Sequence, residues 1–118
     1  MGAMATASCG CGYSSHLTLG GGMVSFESEC WFPVYCRRCR ALGEANLLEQ
    51  PVACPSCGGT DVAAYDDPEL VGKKGRREVF SWHVEEQLGR ILRLTDGRYL
   101  CPACQKPELR FESTGSWD

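Results

Sequence analysis

Nine cysteines punctuate the 118 residues, and their spacing suits metal coordination. Cys36-Arg37-Arg38-Cys39 and Cys54-Pro55-Ser56-Cys57 are two C-x2-C pairs separated by residues 40–53. A C-x2-C turn can bring both of its sulfurs to within about 2.3 Å of one ion, and a second turn then supplies the two remaining tetrahedral corners. Backbone N–H groups in such turns point at the sulfurs and stabilise them as thiolates. Cys36, Cys39, Cys54 and Cys57 are therefore expected to hold one ion. The segment Ala41–Ala53 is expected to run out and back as a short hairpin that closes the site.

A third pair, Cys101-Pro102-Ala103-Cys104, needs partners. Cys9-Gly10-Cys11-Gly12 is the best candidate, because its two glycines allow a tight chelating loop. Cys9, Cys11, Cys101 and Cys104 would then form a second site that draws the two ends of the chain together. His16 and Cys30 are the substitute ligands. The odd cysteine count leaves one thiol over, and Cys30, beside Trp31 and Phe32, reads as a small buried hydrophobe.

Other cysteine chemistries fit less well. No charged segment followed by an apolar run precedes Cys9, and no stretch approaches the ~18 apolar residues of a membrane span. A cytoplasmic location with reduced thiols is the expectation, which favours metal over disulfides. A thioredoxin-like dithiol must open a helix, whereas Gly58-Gly59 follows the second pair and Pro107 comes soon after the third. The compact C-x2-C-x2-C run of ferredoxins is absent.

Cys54-Pro55-Ser56-Cys57-Gly58, taken with Cys36-Arg37-Arg38-Cys39, resembles the paired knuckles of zinc-ribbon and rubredoxin-like domains over residues 34–66. The full C-P-x-C-G form occurs only at 54–58. Arg40 and Gln105 stand where the other two knuckles often carry glycine, so those turns are expected to close differently. The resemblance implies a four-cysteine metal site on β-hairpins. Zinc is the favoured ion for both sites, with iron the alternative at 36/39/54/57. No single activity follows, because ribbons serve many tasks.

These sites need a scaffold, and composition says that metal helps to build it. The apolar fraction is 43%, but with nine cysteines and nine alanines set aside, roughly a quarter to a third of the chain remains as large core formers. Small folds with sparse cores recruit disulfides or metal. The fold class expected is small, all-β and metal-stabilised, with little helix. Residues 1–3 read as a tag remnant ahead of Met4. Residues 4–33 read as an N-terminal hairpin feeding the second site, 34–66 as the ribbon, 67–78 as a polar basic connection, and 79–118 as C-terminal hairpins packing on 4–33.

Within those segments, Leu17–Leu19 and Met23–Phe26 flank Gly20-Gly21-Gly22 as a hairpin. A phosphate cradle at these glycines lacks a following Lys-Ser or Lys-Thr. Phe80, Trp82 and Val84 alternate with Val79, Ser81 and His83 as a half-buried strand. Leu92–Thr95, Asp96-Gly97 and Arg98–Cys101 carry the Asp-Gly hairpin signal, with Leu109–Glu112 as the return strand. Val84, Leu88 and Ile91 also have helical spacing, which makes a short helix at 83–92 the minor alternative.

Twelve Lys+Arg against 15 Asp+Glu give a formal charge of −3, and eight thiolates offset by two divalent cations would take it to −7. That balance argues against a general nucleic-acid binder. Lys73, Lys74, Arg76 and Arg77 form the one basic run, expected to be a solvated loop and the place where any nucleic-acid contact would occur. Arg37, Arg38 and Arg40 offset the charge of the first thiolate site. His16 and His83 are the only histidines, there is no catalytic zinc pattern, and nothing in the spacing pairs Cys30 with a base. Closed all-thiolate sites are structural. The expected function is a non-catalytic interaction or adaptor module, with a protein as partner and no membrane. An iron electron carrier and a nucleic-acid-binding ribbon are the alternatives.

Overall fold

The computed structural model describes residues 2–21, 29–49 and 51–117. The chain folds as a small all-β protein. Strand β1 (Gly2–Ser8) and strand β2 (Ser14–Gly20) form an antiparallel hairpin whose turn holds Cys9 and Cys11. The turn is tight: Cys9 N–H donates to Tyr13 O at 3.0 Å, Gly12 N–H donates to Cys9 O at 3.0 Å, and Gly12 takes φ 103°. Leu17 and Leu19 lie on β2 as expected, but their hairpin partner is β1. The expected partner Met23–Phe26 lies outside the described residues. Gly2 and Ala3, set aside as a tag remnant in the sequence reading, are paired residues of β1.

Strand β3 (Trp31–Cys36) is followed at once by the first knuckle and then by β4 (Ala41–Asn46), which returns antiparallel along it. The expected out-and-back hairpin within 41–53 is thus replaced by a β3–β4 hairpin that has Cys36 and Cys39 at its turn. On its other edge β3 meets β2 at Gly20 and Trp31, and further along it meets the short β5 (Val62–Ala64). After a 3-10 turn at Pro68–Leu70, β6 (Val71–Lys73) lies within the stretch 67–78 expected from the sequence to be a polar basic connection. Asp67 caps that turn by accepting the Glu69 N–H at 2.9 Å.

The Phe80, Trp82, Val84 alternation is strand β7 (Glu78–Val84), with Phe80 and Val84 buried. Helix α1 (Glu85–Leu88) is a single turn closed by Gly89 in the left-handed region, so the helical spacing over 83–92 is realised only there. Strand β8 (Arg90–Thr95) then pairs back on β7. The Asp96-Gly97 hairpin does not form: β9 (Arg98–Tyr99) pairs with β6, not with β8. The reason is local. Asp96 Oδ1 accepts the N–H groups of Arg76 and Arg77 at 2.8 and 3.2 Å, and Asp96 N–H donates to Arg77 O at 3.0 Å. The turn is thereby committed to the 73–77 loop. Leu109 bridges Tyr99 as a return strand would, but β10 (Arg110–Trp117) continues as an edge strand on β1.

The large sheet runs β10-β1-β2-β3-β4, with β5 also on β3; β6–β9 and β7–β8 form two-stranded ladders beside it. One apolar cluster serves all of the segments distinguished in the sequence. Its centre is Tyr65, fully buried, with ring centroids 6.5 Å from Tyr35, 6.2 Å from Tyr99 and 5.5 Å from Phe111. Ala5 and Ala7 of β1 are small enough to bring Leu17 and Phe111, from its two neighbours, over the same core. A second contact joins the ladders to the sheet: Trp82 stacks on Phe80 at 5.4 Å and lies over Gly20, where a Cβ would meet the indole at 2.7 Å.

Candidate metal centres

Cysteine sulfurs gather in two places. Cys36, Cys39, Cys54 and Cys57 form one group, and Cys9, Cys11, Cys101 and Cys104 form the other; within each group all sulfurs lie within 4.8 Å of one another. In the first, Sγ atoms are 3.8 Å apart for Cys36 and Cys57 and 3.9 Å for Cys39 and Cys54. In the second they are 3.8 Å for Cys9 and Cys104 and 3.7 Å for Cys11 and Cys101. A disulfide requires about 2.05 Å. A tetrahedral ion with bonds of about 2.3 Å sets sulfur–sulfur edges about 1.63 times longer, or about 3.8 Å. The spacing fits four ligands around one ion and does not fit a disulfide between any of these four pairs.

Three knuckles share one turn. Arg40 N–H donates to Cys36 O at 2.8 Å, Gly58 N–H to Cys54 O at 2.9 Å, and Gln105 N–H to Cys101 O at 2.9 Å. The closing residues take φ of 52°, 72° and 61°. Arg40 and Gln105 therefore close their turns as glycine does, contrary to expectation, and accept the left-handed conformation that a Cβ disfavours by about 1–2 kcal/mol. Gln105 is further held by its own side chain, which donates to Pro102 O at 2.7 Å.

The turns also aim N–H groups at sulfur. Cys39 N–H reaches Cys36 Sγ, Ser56 N–H reaches Cys54 Sγ and Gly59 N–H reaches Cys57 Sγ, each at 3.4 Å. The N–H groups of Cys57 and Ser56 pull the Cys54 thiol down to about 7, whereas hydrogen bonds from the sulfurs of Cys57 and Cys36 push Cys39 up to about 12. In the second group the N–H of Tyr13 lowers Cys11. Cys101 is raised by burial. Cys9 is pushed up to about 12, since desolvation and the neighbouring sulfurs outweigh the lowering N–H of Cys11. Four thiols in contact must share protons, because ionising one opposes ionising the next. A divalent cation removes that conflict. Each group has a buried floor, Cys36 and Cys54 in one and Cys101 in the other, and an exposed outer side, Cys39 and Cys57 in the first and Cys11 in the second.

The two substitute ligands lie elsewhere. His16 stands on β2 with its ring 3.3 Å from Thr6 Oγ1, and Cys30 is fully buried in the apolar cluster with its thiol pushed up to about 12 by burial. His83 pairs with Glu85 at the surface. Arg37 spans Asp61 and Glu69 at 3.1 and 2.8 Å, tying the first knuckle to the segments around β5. Lys73, Lys74, Arg76 and Arg77 are exposed, and the β6–β9 register adds Arg98 opposite Lys73. Only long-range strand pairing brings Arg98 to this face, so no local sequence signal marked it. Among the described residues no helix is long and apolar enough to cross a membrane. Comparison with protein-family models, with curated proteins and with solved structures yields no match for this chain.

Proposed function

We propose that this chain is a structural zinc protein, with one Zn2+ held by Cys36, Cys39, Cys54 and Cys57 and another by Cys9, Cys11, Cys101 and Cys104. The observation that carries the reading is the pair of four-sulfur groups with edges of 3.7–3.9 Å. Zinc suits four thiolates in tetrahedral array and asks for no further ligand. A site filled by four protein sulfurs has no position left for substrate or water, which supports a binding module over a catalyst. The ions would lock the β1–β2 and β3–β4 hairpins, the 54–58 turn and the C-terminal turn around a core in which alanine and cysteine replace many large side chains. The surface so fixed would engage a protein partner.

Cobalt(II) titration of the metal-free chain tests this, since its absorption reports both thiolate ligation and tetrahedral geometry. Saturation at two equivalents is expected, with Cys54→Ser and Cys101→Ser each lowering it by one. Saturation at one equivalent, or bands without thiolate character, would contradict the assignment. Iron in the protein as purified, visible as a red colour, would replace the zinc reading with an electron carrier.

A further inference from the structure

A cavity of about 500 Å3 opens beside the basic loop, walled by Val71, Lys74, Gly75, Arg93, Thr95 and Tyr99. That size falls in the range of small-molecule sites, about 300–1,000 Å3. Gly75 belongs to that lining, and the 73–77 loop packs closely on the 95–97 turn: a Cβ on Gly75 would strike Asp96 and Thr95, and one on Gly97 would strike Lys73 O.

Counting hydroxyl protons shows an unspent donor. Thr95 Oγ1 accepts the N–H groups of Gly75 and Gly97 at 3.2 and 3.3 Å, which uses both of its lone pairs. Thr95 Oγ1 also lies 3.2 Å from Tyr99 Oη, and either hydroxyl can donate across that contact. Tyr99 Oη also accepts Thr95 N–H at 2.8 Å, so with three N–H groups already accepted by the two oxygens only one of the two hydroxyl protons is spent within the pair. Tyr99 is only 2% exposed, and a buried donor without an acceptor is costly.

Charge points the same way. Among the described residues no carboxylate pairs with Lys73, Lys74, Arg76, Arg77 or Arg98, although the chain is acidic overall. Lys73 and Arg98 even face each other across β6 and β9, an arrangement that costs stability unless an anion lies near. The acids close by are already engaged: Asp96 by the N–H groups of Arg76 and Arg77, Glu78 by Arg93, and Asp66, which also lines the cavity, by Arg90.

We propose that this cavity binds a small phosphomonoester, whose oxygens take the Tyr99 O–H and the Lys74 ammonium and whose apolar body rests on Val71 and Pro68. A phosphate, at about −1.5 to −2 near neutral pH, matches several unpaired cations better than a carboxylate does. The site is separate from the cysteine groups, so its failure would leave the zinc reading intact.

Amide NMR titration of the zinc-loaded chain with phenyl phosphate, benzoate, inorganic phosphate and a short oligothymidylate tests the proposal, with metal content measured on the same samples. Phenyl phosphate should give saturable shifts at Gly75 and Thr95 at millimolar concentration, and it should bind more tightly than benzoate or inorganic phosphate. Lys74→Ala should weaken it about tenfold, and Tyr99→Phe should weaken it without loss of metal. Arg110→Ala, on β10, should leave phenyl phosphate binding unchanged. Absence of saturable shifts, or equal binding to Lys74→Ala, would overturn the site. Inorganic phosphate binding as well as phenyl phosphate would overturn the role of the apolar wall. Tighter oligothymidylate binding, with shifts at Arg76 and Arg98 but none at Thr95, would assign this face to a polynucleotide instead.

Discussion

Tyr35 O–H donates to Gln105 Oε1 at 3.1 Å. Tyr35 precedes Cys36 in one sulfur group, and Gln105 follows Cys104 in the other. A single hydrogen bond thus spans residues adjacent to ligands of both groups. Tyr65 O–H makes a parallel link to Leu100 O, the residue before Cys101, at 2.9 Å. Ordering either knuckle therefore orders the wall against which the other is built.

Cobalt or zinc binding should consequently be cooperative. Cys101→Ser should empty its own site and also weaken metal binding at Cys36, Cys39, Cys54 and Cys57 by several-fold, a coupling at the low end of the usual 1–3 kcal/mol. Tyr35→Phe, which retains the ring packing but not the hydrogen bond, should reduce that coupling while leaving two ions bound. Independent binding curves in both proteins would refute the link.

Arg40→Gly should stabilise the zinc-loaded protein by about 0.5 kcal/mol. Relief of the left-handed strain, about 1–2 kcal/mol, exceeds the entropy that glycine adds to the unfolded chain, about 0.4–1 kcal/mol. Gln105→Gly should give no such gain, because it also removes the bonds to Pro102 O and Tyr35. Thermal or denaturant unfolding of the two variants checks the contrast.

Gly20→Ala should destabilise by about 2 kcal/mol or more, combining a strained φ of 80° with overpacking against Trp82. Changed tryptophan fluorescence should accompany the loss, since the indole stacked on Phe80 must move. A variant as stable as the parent would show that Trp82 does not lie over Gly20.

The Asp96 carboxyl is held below its ordinary range by the N–H groups of Arg77 and Arg76. A lowered folded value means that the folded state takes up its proton later than the unfolded chain does. The contribution is therefore fully present above about pH 3.9, the unfolded value, and is lost as pH falls through the lower folded one. Asp96→Asn at neutral pH should mimic that loss, speeding amide exchange at Arg76 and Arg77 with two ions still bound. Unchanged exchange at both amides would contradict it.

The sulfur groups were readable because chelate spacing is local: Cys36 with Cys39, Cys54 with Cys57 and Cys101 with Cys104 each fix their own turn. Even the C-x-C loop announced its partner by elimination. The all-β class followed from alternation at Phe80, Trp82 and Val84. Strand β1 was hidden because Ala3, Ala5 and Ala7 have weak strand preference; its place between β2 and β10 holds it extended. The Asp96-Gly97 turn misled for a similar reason. Its carboxylate is satisfied by residues 76 and 77, a contact that no local pattern encodes. Arg40 and Gln105 show the converse, where the demand of a four-sulfur site overrides the usual preference for glycine.

Native mass spectrometry of the freshly purified chain is the decisive test of two zinc-filled sulfur sites, because one spectrum reports how many ions are bound and which they are. A single folded species carrying two zinc ions is expected, with Cys30 and the eight ligand sulfurs free of disulfide. A chain carrying one ion or none, or a metal-free chain lightened by the paired hydrogens lost to disulfides, would contradict it.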